Sequence, residues 1–543
     1  MKKRFQKTNL AILLITLLSF AFRFYNLSNL PSAFSVDEAA LGYNGWSLLT
    51  TSKDEWGETL PLLLRSFDDN KPAVYSYLTI PFIAIFGLNE FSTRAPAALF
   101  GSLLPLIIFL LLKRLKQNDF TSLLTAFIIA TSPWHIEISR TAVEAGVALS
   151  IGVLALLFLS KSQFFTGLIL ILTSLFTYHT ARLIVPTITL FGALFKIIKT
   201  NWKVNFLLII TVLLGIVLSL THSSWRFDQI SIFSDKESQL LREEAIREDG
   251  GEISVQIIET RSAHNKIFSW IYTFSKNYIT NTSLTYLFLG GAQPPRVTIP
   301  ETGQFLLITL PFYILGIALS IKKWKKIDKW LLTWLIFAPI PASLTTANLP
   351  HTYRTLFMLP PIAFFIAYGI SMTIQFIKHK YYPLLTFLII IFTAAFSLNF
   401  FRSWHQYRVH QQVHQPWYRQ YGYKDLINYL NSRANVEKIT ITNRGREPYI
   451  FILFYNKISP KQYHQWPQKR LSHQDIELGK SEWQLFNYTF SEEPCPYNLA
   501  DSNPNNLYVV MSSCELPKNY ERINQINFLD SNPAFYIDQP SSH

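Results

Sequence analysis

A few ionisable residues in this chain are placed where they could do chemistry. The acidic pair Asp37 and Glu38 follows the first apolar run, and Lys71-Pro72 comes later in the same loop. Further along, Arg140 precedes Glu144, His179 precedes Arg182, and His351 precedes Arg354. A carboxylate at a water–lipid boundary can be tuned by desolvation and by its neighbours into a general base, worth about 10²–10⁴-fold in rate. Lysine offers a phosphate group a compact point charge, and arginine a bidentate fork. Acid and cation together would suit proton abstraction beside a phosphate leaving group.

Each of these groups also has a plain reading. Asp-Glu pairs occur in solvated turns, and an interfacial lysine can snorkel to the surface. Arg140 and Glu144 are four residues apart and would form an ordinary ion pair if a helix began by Arg140. Glu144 is expected at the apolar boundary, where an idle carboxylate is costly, and this favours a function for it. A single His and Arg three apart at a helix end is a common anchor. Two such pairs on one membrane face, with Lys71 and Arg140, indicate an anion site. The histidines lack metal-ligand spacing.

The elements that must position these residues are mostly membrane helices. Hydrophobic residues make up 49% of the 543, and charged residues only 15%, against about 25% in soluble proteins. Long apolar runs recur to about residue 400 and then stop. The formal charge of +14 does not indicate nucleic acid. Much of the Lys and Arg sits in short clusters between apolar segments, as in cytoplasmic loops under the positive-inside bias. The only cysteines, Cys495 and Cys514, lie in the tail, as a disulfide if the tail is extracytoplasmic or otherwise as two buried thiols.

Met1-Lys2-Lys3-Arg4 precedes an apolar run without a small-residue cleavage site, which reads as a retained first helix with its N-terminus inside. Segment 73–88 is short and broken by Pro81 and Gly87. Were it to cross, every later basic cluster would change sides, so it reads as a juxtamembrane helix lying in the interface. The remaining spans are expected near 9–24, 95–112, 118–134, 142–160, 163–179, 182–198, 204–221, 303–321, 330–346, 354–377 and 382–400. About eleven crossings put the C-terminal tail outside, with outer loops at 24–94, 132–141, around His179, 221–302 and 347–353. The crossings are nearly free of charge, unlike those of ion-coupled transporters. Residues 401–543 read as a small α/β domain. Helices are expected at 423–432 and 448–456, and strands at 436–442, 483–490, 507–512 and 526–537, the last bent at Asp530-Ser531-Asn532-Pro533.

Asp-Glu after the first helix, Lys-Pro in the same loop, and Ser139-Arg140 before Glu144 together resemble the GT-C membrane glycosyltransferases. The family 39/83 group is the nearer likeness, including protein O-mannosyltransferase-like, aminoarabinose-transferase-like and RgtA/B/C/D-like enzymes. The likeness runs in order through residues 5–400. It includes Asn89-Glu90-Phe91-Ser92-Thr93-Arg94 before the second span and Pro350-His351 with Arg354 before the tenth. It implies a transmembrane transferase domain over 1–400 with a separate extracytoplasmic domain over 401–543. The implied donor is a sugar on a polyprenyl phosphate, attacked by an acceptor hydroxyl at the outer face of the cytoplasmic membrane with inversion. Asp37, beside Glu38, would be the base, and Glu144 the second loop acid. Lys71, Arg140, Arg182 and Arg354, with His179 and His351, would bind the lipid phosphate. Glu144 stands where many relatives carry Asp. Some relatives use a divalent metal and others do not, so no metal is assigned, and neither the sugar nor the acceptor (protein, lipid or polysaccharide) carries over. The rival class is a lipid-linked glycan flippase, which would need a charged central cavity that these neutral spans do not supply. A third reading, a surface scaffold, leaves Asp37, Lys71 and Glu144 without a reason.

Overall fold

The computed structural model describes residues 2–67, 69–221, 230–249, 257–380, 382–445, 447–467, 470–471, 475–476 and 479–541. The expected outer loop 221–302 therefore lies partly outside the described residues. The chain divides into two compact units that do not follow its linear order. One comprises Met1–Arg23, Phe100–Ile138 and Glu144–Gln406, and the other Phe24–Leu99, Ser139–Val143 and Tyr407–His543.

Among the described residues, five helices are long and apolar enough to cross a membrane: Gln6–Phe24, Glu90–Arg114, Trp202–Thr221, Leu356–Lys378 and Pro383–Val413. Shorter apolar helices include Asp119–Thr131, Glu144–Ser160, Phe164–Leu175 and His179–Leu194. The chain is a multi-pass integral membrane protein. A helix occurs at each expected crossing, although several, such as Phe164–Leu175 with 12 residues, fall short of the ~20 residues needed to span a ~30 Å core. Within the helical unit, glycines allow close approach: an added Cβ at Gly316 would meet the Phe365 carbonyl, and one at Gly369 the Phe312 carbonyl. Small residues at such crossings let helix backbones touch where lipid supplies no hydrophobic drive.

The second unit is built around a mixed six-stranded sheet. Its strands are β3 (Lys438–Thr442), β4 (Glu482–Leu485), β5 (Tyr488–Ser491), β6 (Asn506–Met511), β7 (Tyr520–Asn527) and β8 (Pro533–Pro540), in the order β4-β5-β3-β6-β8-β7. β3 runs parallel to both β5 and β6, and the other pairs are antiparallel. Two expected single strands are corrected. Residues 483–490 form the β4–β5 hairpin, turning at Phe486 with φ 54°. Residues 520–540 form the β7–β8 hairpin, with Asp530-Ser531-Asn532 as its turn and not a bend within one strand. A third hairpin, β1 (Leu63–Ser66) with β2 (Asp69–Pro72), lies in the first loop, where no strand was expected.

Nor does the unit boundary follow the expected cut near residue 400. Phe34, Val36, Ala39 and Tyr43 from the first loop share one core with Tyr423, Ile450, Phe454, Trp483 and Phe490 from the C-terminal segment. Burial of large apolar side chains from both segments, at about 25 cal/mol per Å², makes them one folding unit. Cys495 and Cys514 are disulfide-bonded.

Candidate active site

The first loop positions Asp37 by making it the second residue of helix Val36–Thr51. Ser35 caps that helix in extended conformation. Its hydroxyl accepts the Glu38 N–H, and the Glu38 carboxylate accepts the Ser35 N–H at 3.1 Å. This reciprocal capping box fixes where the helix starts, and its first turn is the stabilised place for an acidic side chain. Asp37 is ion-paired with Lys71, which β2 presents from the hairpin. The Lys71 ammonium also lies 5.3 Å from the centre of the Phe67 ring. The Asp37 side chain is 32% exposed and that of Lys71 10%, so the carboxylate is within reach of a partner from solution.

Glu38, expected beside Asp37 in the chemistry, is committed elsewhere. Its side chain is buried against Arg94, with Arg94 Nε donating to Oε1 at 2.8 Å. Oε1 also accepts the Ala142 N–H at 3.0 Å. Arg94 completes the knot by donating to the carbonyls of Leu27, Pro31 and Ala33 at 3.1, 2.9 and 2.6 Å. Glu38 thus holds the helix start that carries Asp37. The C-terminal segment holds it as well: Gln420 Oε1 accepts the Val36 N–H at 2.7 Å, and Gln412 Oε1 accepts the Ser32 N–H at 2.7 Å.

Arg140, expected to bind phosphate, is fully buried in the same unit. It donates to the Tyr407 hydroxyl at 2.8 Å and to the carbonyls of Tyr25 and Leu30 at 2.5 and 2.9 Å. The helix expected over 142–160 begins at Glu144, so the condition for an Arg140–Glu144 pair on one face, a helix starting by Arg140, is not met. The i,i+4 geometry is therefore absent, because residues 139–143 form an irregular turn held by Glu38 through the Ala142 N–H.

A buried carboxyl in this unit escaped the sequence reading altogether. Glu55 is fully buried, accepts from Asn44 Nδ2 and the Tyr449 hydroxyl at 3.2 Å each, and lies near Asp54, Tyr463 and Arg470. Burial, reinforced by the Asp54 charge, pushes its pKa up to about 8 against the attraction of Arg470. The folded state therefore binds a proton that the unfolded chain releases near pH 4.5. Stability then falls as pH rises from that point towards 8 and levels off above it, with a slope of at most about 1.4 kcal/mol per pH unit. Glu55→Gln, which keeps the shape without the titration, should flatten the thermal midpoint across pH 5–8. A wild-type slope retained in the variant would exclude Glu55 as its source.

The other expected residues lie in the helical unit. His179 opens helix His179–Leu194. Arg182 is fully buried and donates to the carbonyls of Leu175 and Leu218 at 3.2 and 3.0 Å, tying helix ends together. Glu144 is half-buried at the first position of its helix. His351 Nδ1 accepts the backbone N–H groups of Tyr353 and Arg354 at 3.2 and 3.4 Å. Arg354 is half-buried and donates to Thr345 Oγ1 at 2.7 Å and to the Ala347 carbonyl at 3.1 Å. Arg23 was not singled out from the sequence, yet it is buried with Nη2 2.7 Å from His135 Nδ1. Among the described residues no cluster of three or more His, Cys, Asp or Glu could hold a metal.

Residues 13–175 match the family model described as dolichyl-phosphate-mannose-protein mannosyltransferase. That stretch contains Asp37, Glu38, Lys71, Arg94, Arg140 and Glu144. No curated protein matches the chain. Among solved structures, the Archaeoglobus fulgidus oligosaccharyltransferase tethered to an acceptor peptide aligns with 84% of this chain and 63% of its own, at 11% identity and a TM-score of 0.50. The chain therefore spans a little under two thirds of that enzyme's length, and the likeness is one of fold. ArnT from Cupriavidus metallidurans bound to undecaprenyl phosphate aligns over 97% of both chains at 10% identity and a TM-score of 0.47. The mycobacterial arabinofuranosyltransferase AftD aligns with 98% of this chain and 41% of its own, at 10% identity and 0.41.

Proposed function

We propose, from the match of residues 13–175 to the family model described as dolichyl-phosphate-mannose-protein mannosyltransferase, that this chain is a GT-C membrane glycosyltransferase. It crosses the cytoplasmic membrane about eleven times with its N-terminus inside. The unit holding Asp37 faces the extracytoplasmic side, where a disulfide such as Cys495–Cys514 persists. The donor is a sugar on a polyprenyl phosphate, and the acceptor presents a hydroxyl. The observation that carries this reading is the Asp37–Lys71 ion pair at a helix start fixed by Glu38, Arg94 and Gln420.

In this mechanism the pair is a resting state. The donor phosphate takes Lys71 from Asp37, and the freed carboxylate accepts the proton of the acceptor hydroxyl. The oxygen attacks the anomeric carbon through an oxocarbenium-like state as the bond to phosphate breaks, with inversion. Polyprenyl phosphate leaves as an anion stabilised by Lys71, so cationic stabilisation serves it better than a general acid. Within the helical unit, His351 and Arg354 are anion ligands and Glu144 an acid. Buried Arg140 and Arg182 act by positioning backbone. Lys71→Ala should raise the donor KM and lower kcat while leaving the acceptor KM near wild type. Equal effects on donor and acceptor KM would remove Lys71 from the phosphate.

A further inference from the structure

Helix Lys266–Thr282, in the 221–302 loop, is amphipathic in the reverse sense for a helix on a water-facing loop. Ile267, Phe268, Ile271, Tyr272 and Ile279 are 58–68% exposed. At 100° per residue they fall within an arc of about 140°. The opposite arc carries amides turned inward. Asn277 Nδ2 donates to the carbonyls of Ser343 and Thr345 at 3.3 and 2.9 Å, and Asn281 Oδ1 accepts the His351 N–H at 3.1 Å. A helix facing water puts its charged face outward. Here the outward face is mainly apolar, interrupted by Ser275, with Lys276 at its margin.

The helix is also held at the end of a membrane segment. His351, bonded by Asn281, comes just before the span Leu356–Lys378. The Tyr278 hydroxyl donates at 3.0 Å to the carbonyl of Ile336, itself exposed on an apolar helix. We propose that helix Lys266–Thr282 lies in the plane of the bilayer interface, its apolar arc seated among lipid chains and Lys276 among headgroup phosphates. This geometry is the ordinary one for an in-plane helix with a large apolar face. Resting on the function proposed above, it also makes the helix a lipid-seated platform for the candidate phosphate ligands. Asn277 and Asn281 grip the 343–351 turn, and Thr345 in that turn receives Arg354.

The test uses the full chain in nanodiscs of phosphatidylcholine and phosphatidylglycerol. Single cysteines are introduced as Ile271→Cys, Ile279→Cys or Lys276→Cys and spin-labelled, the two natural cysteines being disulfide-bonded. Labels at 271 and 279 should collide several-fold more with oxygen, relative to a water-soluble nickel chelate, than the label at 276. Equal nickel accessibility at all three positions would overturn the proposal. So would labels at 271 and 279 shielded from both quenchers, since that means protein covers the face. No donor or turnover enters this readout, so it stands or falls separately from the transferase reading. For the platform role, Phe268→Asp with Ile271→Asp should raise the donor KM several-fold at unchanged acceptor KM. An unchanged donor KM would restrict the helix to anchoring and overturn that role.

Discussion

Replacing Asp37 by Asn should abolish transfer while leaving the protein folded and inserted. As the proposed general base, the carboxylate would account for about 10²–10⁴-fold in rate, and an amide of the same shape cannot take the proton. Its contribution to stability is small. Its side chain is 32% exposed and that of Lys71 10%, and the amide oxygen of the variant can still accept from the partly buried Lys71 ammonium. The helix start does not depend on Asp37, because the capping box uses Ser35 and Glu38. The thermal midpoint of the variant should therefore stay near wild type as turnover disappears. Turnover near wild type would remove Asp37 as the base.

Arg94→Leu should show the opposite pattern, a loss of stability that takes activity with it. The Arg94 and Glu38 side chains are 1% and 4% exposed. Removing the guanidinium strands a buried carboxylate together with the carbonyls of Leu27, Pro31 and Ala33. Breaking a buried pair from one side costs about 3–5 kcal/mol, a large part of the ~5–15 kcal/mol by which a domain is stable. Arg94→Lys should recover little, since a point charge cannot serve a carboxylate and three carbonyls as a planar fork does. The check is the thermal midpoint in detergent of Arg94→Leu, Arg94→Lys and the double change Glu38→Gln with Arg94→Leu. The double change should be milder than Arg94→Leu alone. Unchanged midpoints would mean that the pair is dispensable.

What could be read from the sequence follows from which signals are local. Apolar runs locate the helices, because each must satisfy its backbone within lipid on its own. The acidic pair and Lys71-Pro72 were visible as types in order, and Asp37 and Lys71 do pair. Residue type alone could not separate Asp37 from Glu38. That distinction lies in Arg94 and the Ala142 N–H, which reach Glu38 from distant parts of the chain. Arg140 and Arg182 looked like phosphate ligands because their charge was legible and the carbonyls they serve were not. Gln412 and Gln420 carry no sequence signal, since an amide accepting a backbone N–H looks like any surface glutamine. Two hairpins were read as single strands because the apolar alternation continues through short turns at Phe486 and Asp530-Ser531-Asn532. The shared core of the first loop and the tail was hidden by the hundreds of residues between them. Contacts such as Phe34 with Phe454, ring centroids 4.8 Å apart, reveal it.

The most direct measurement reconstitutes the purified protein in liposomes with a panel of labelled polyprenyl-phosphate sugars confined to the leaflet that faces the Asp37 unit. Release of free polyprenyl phosphate is followed in wild type and in Asp37→Asn. Wild type should consume at least one donor, coupling its loss to glycosylation of an added acceptor, and Asp37→Asn should consume none. A donor moved to the other leaflet with its sugar–phosphate bond intact, or one consumed equally by both proteins, would contradict this mechanism.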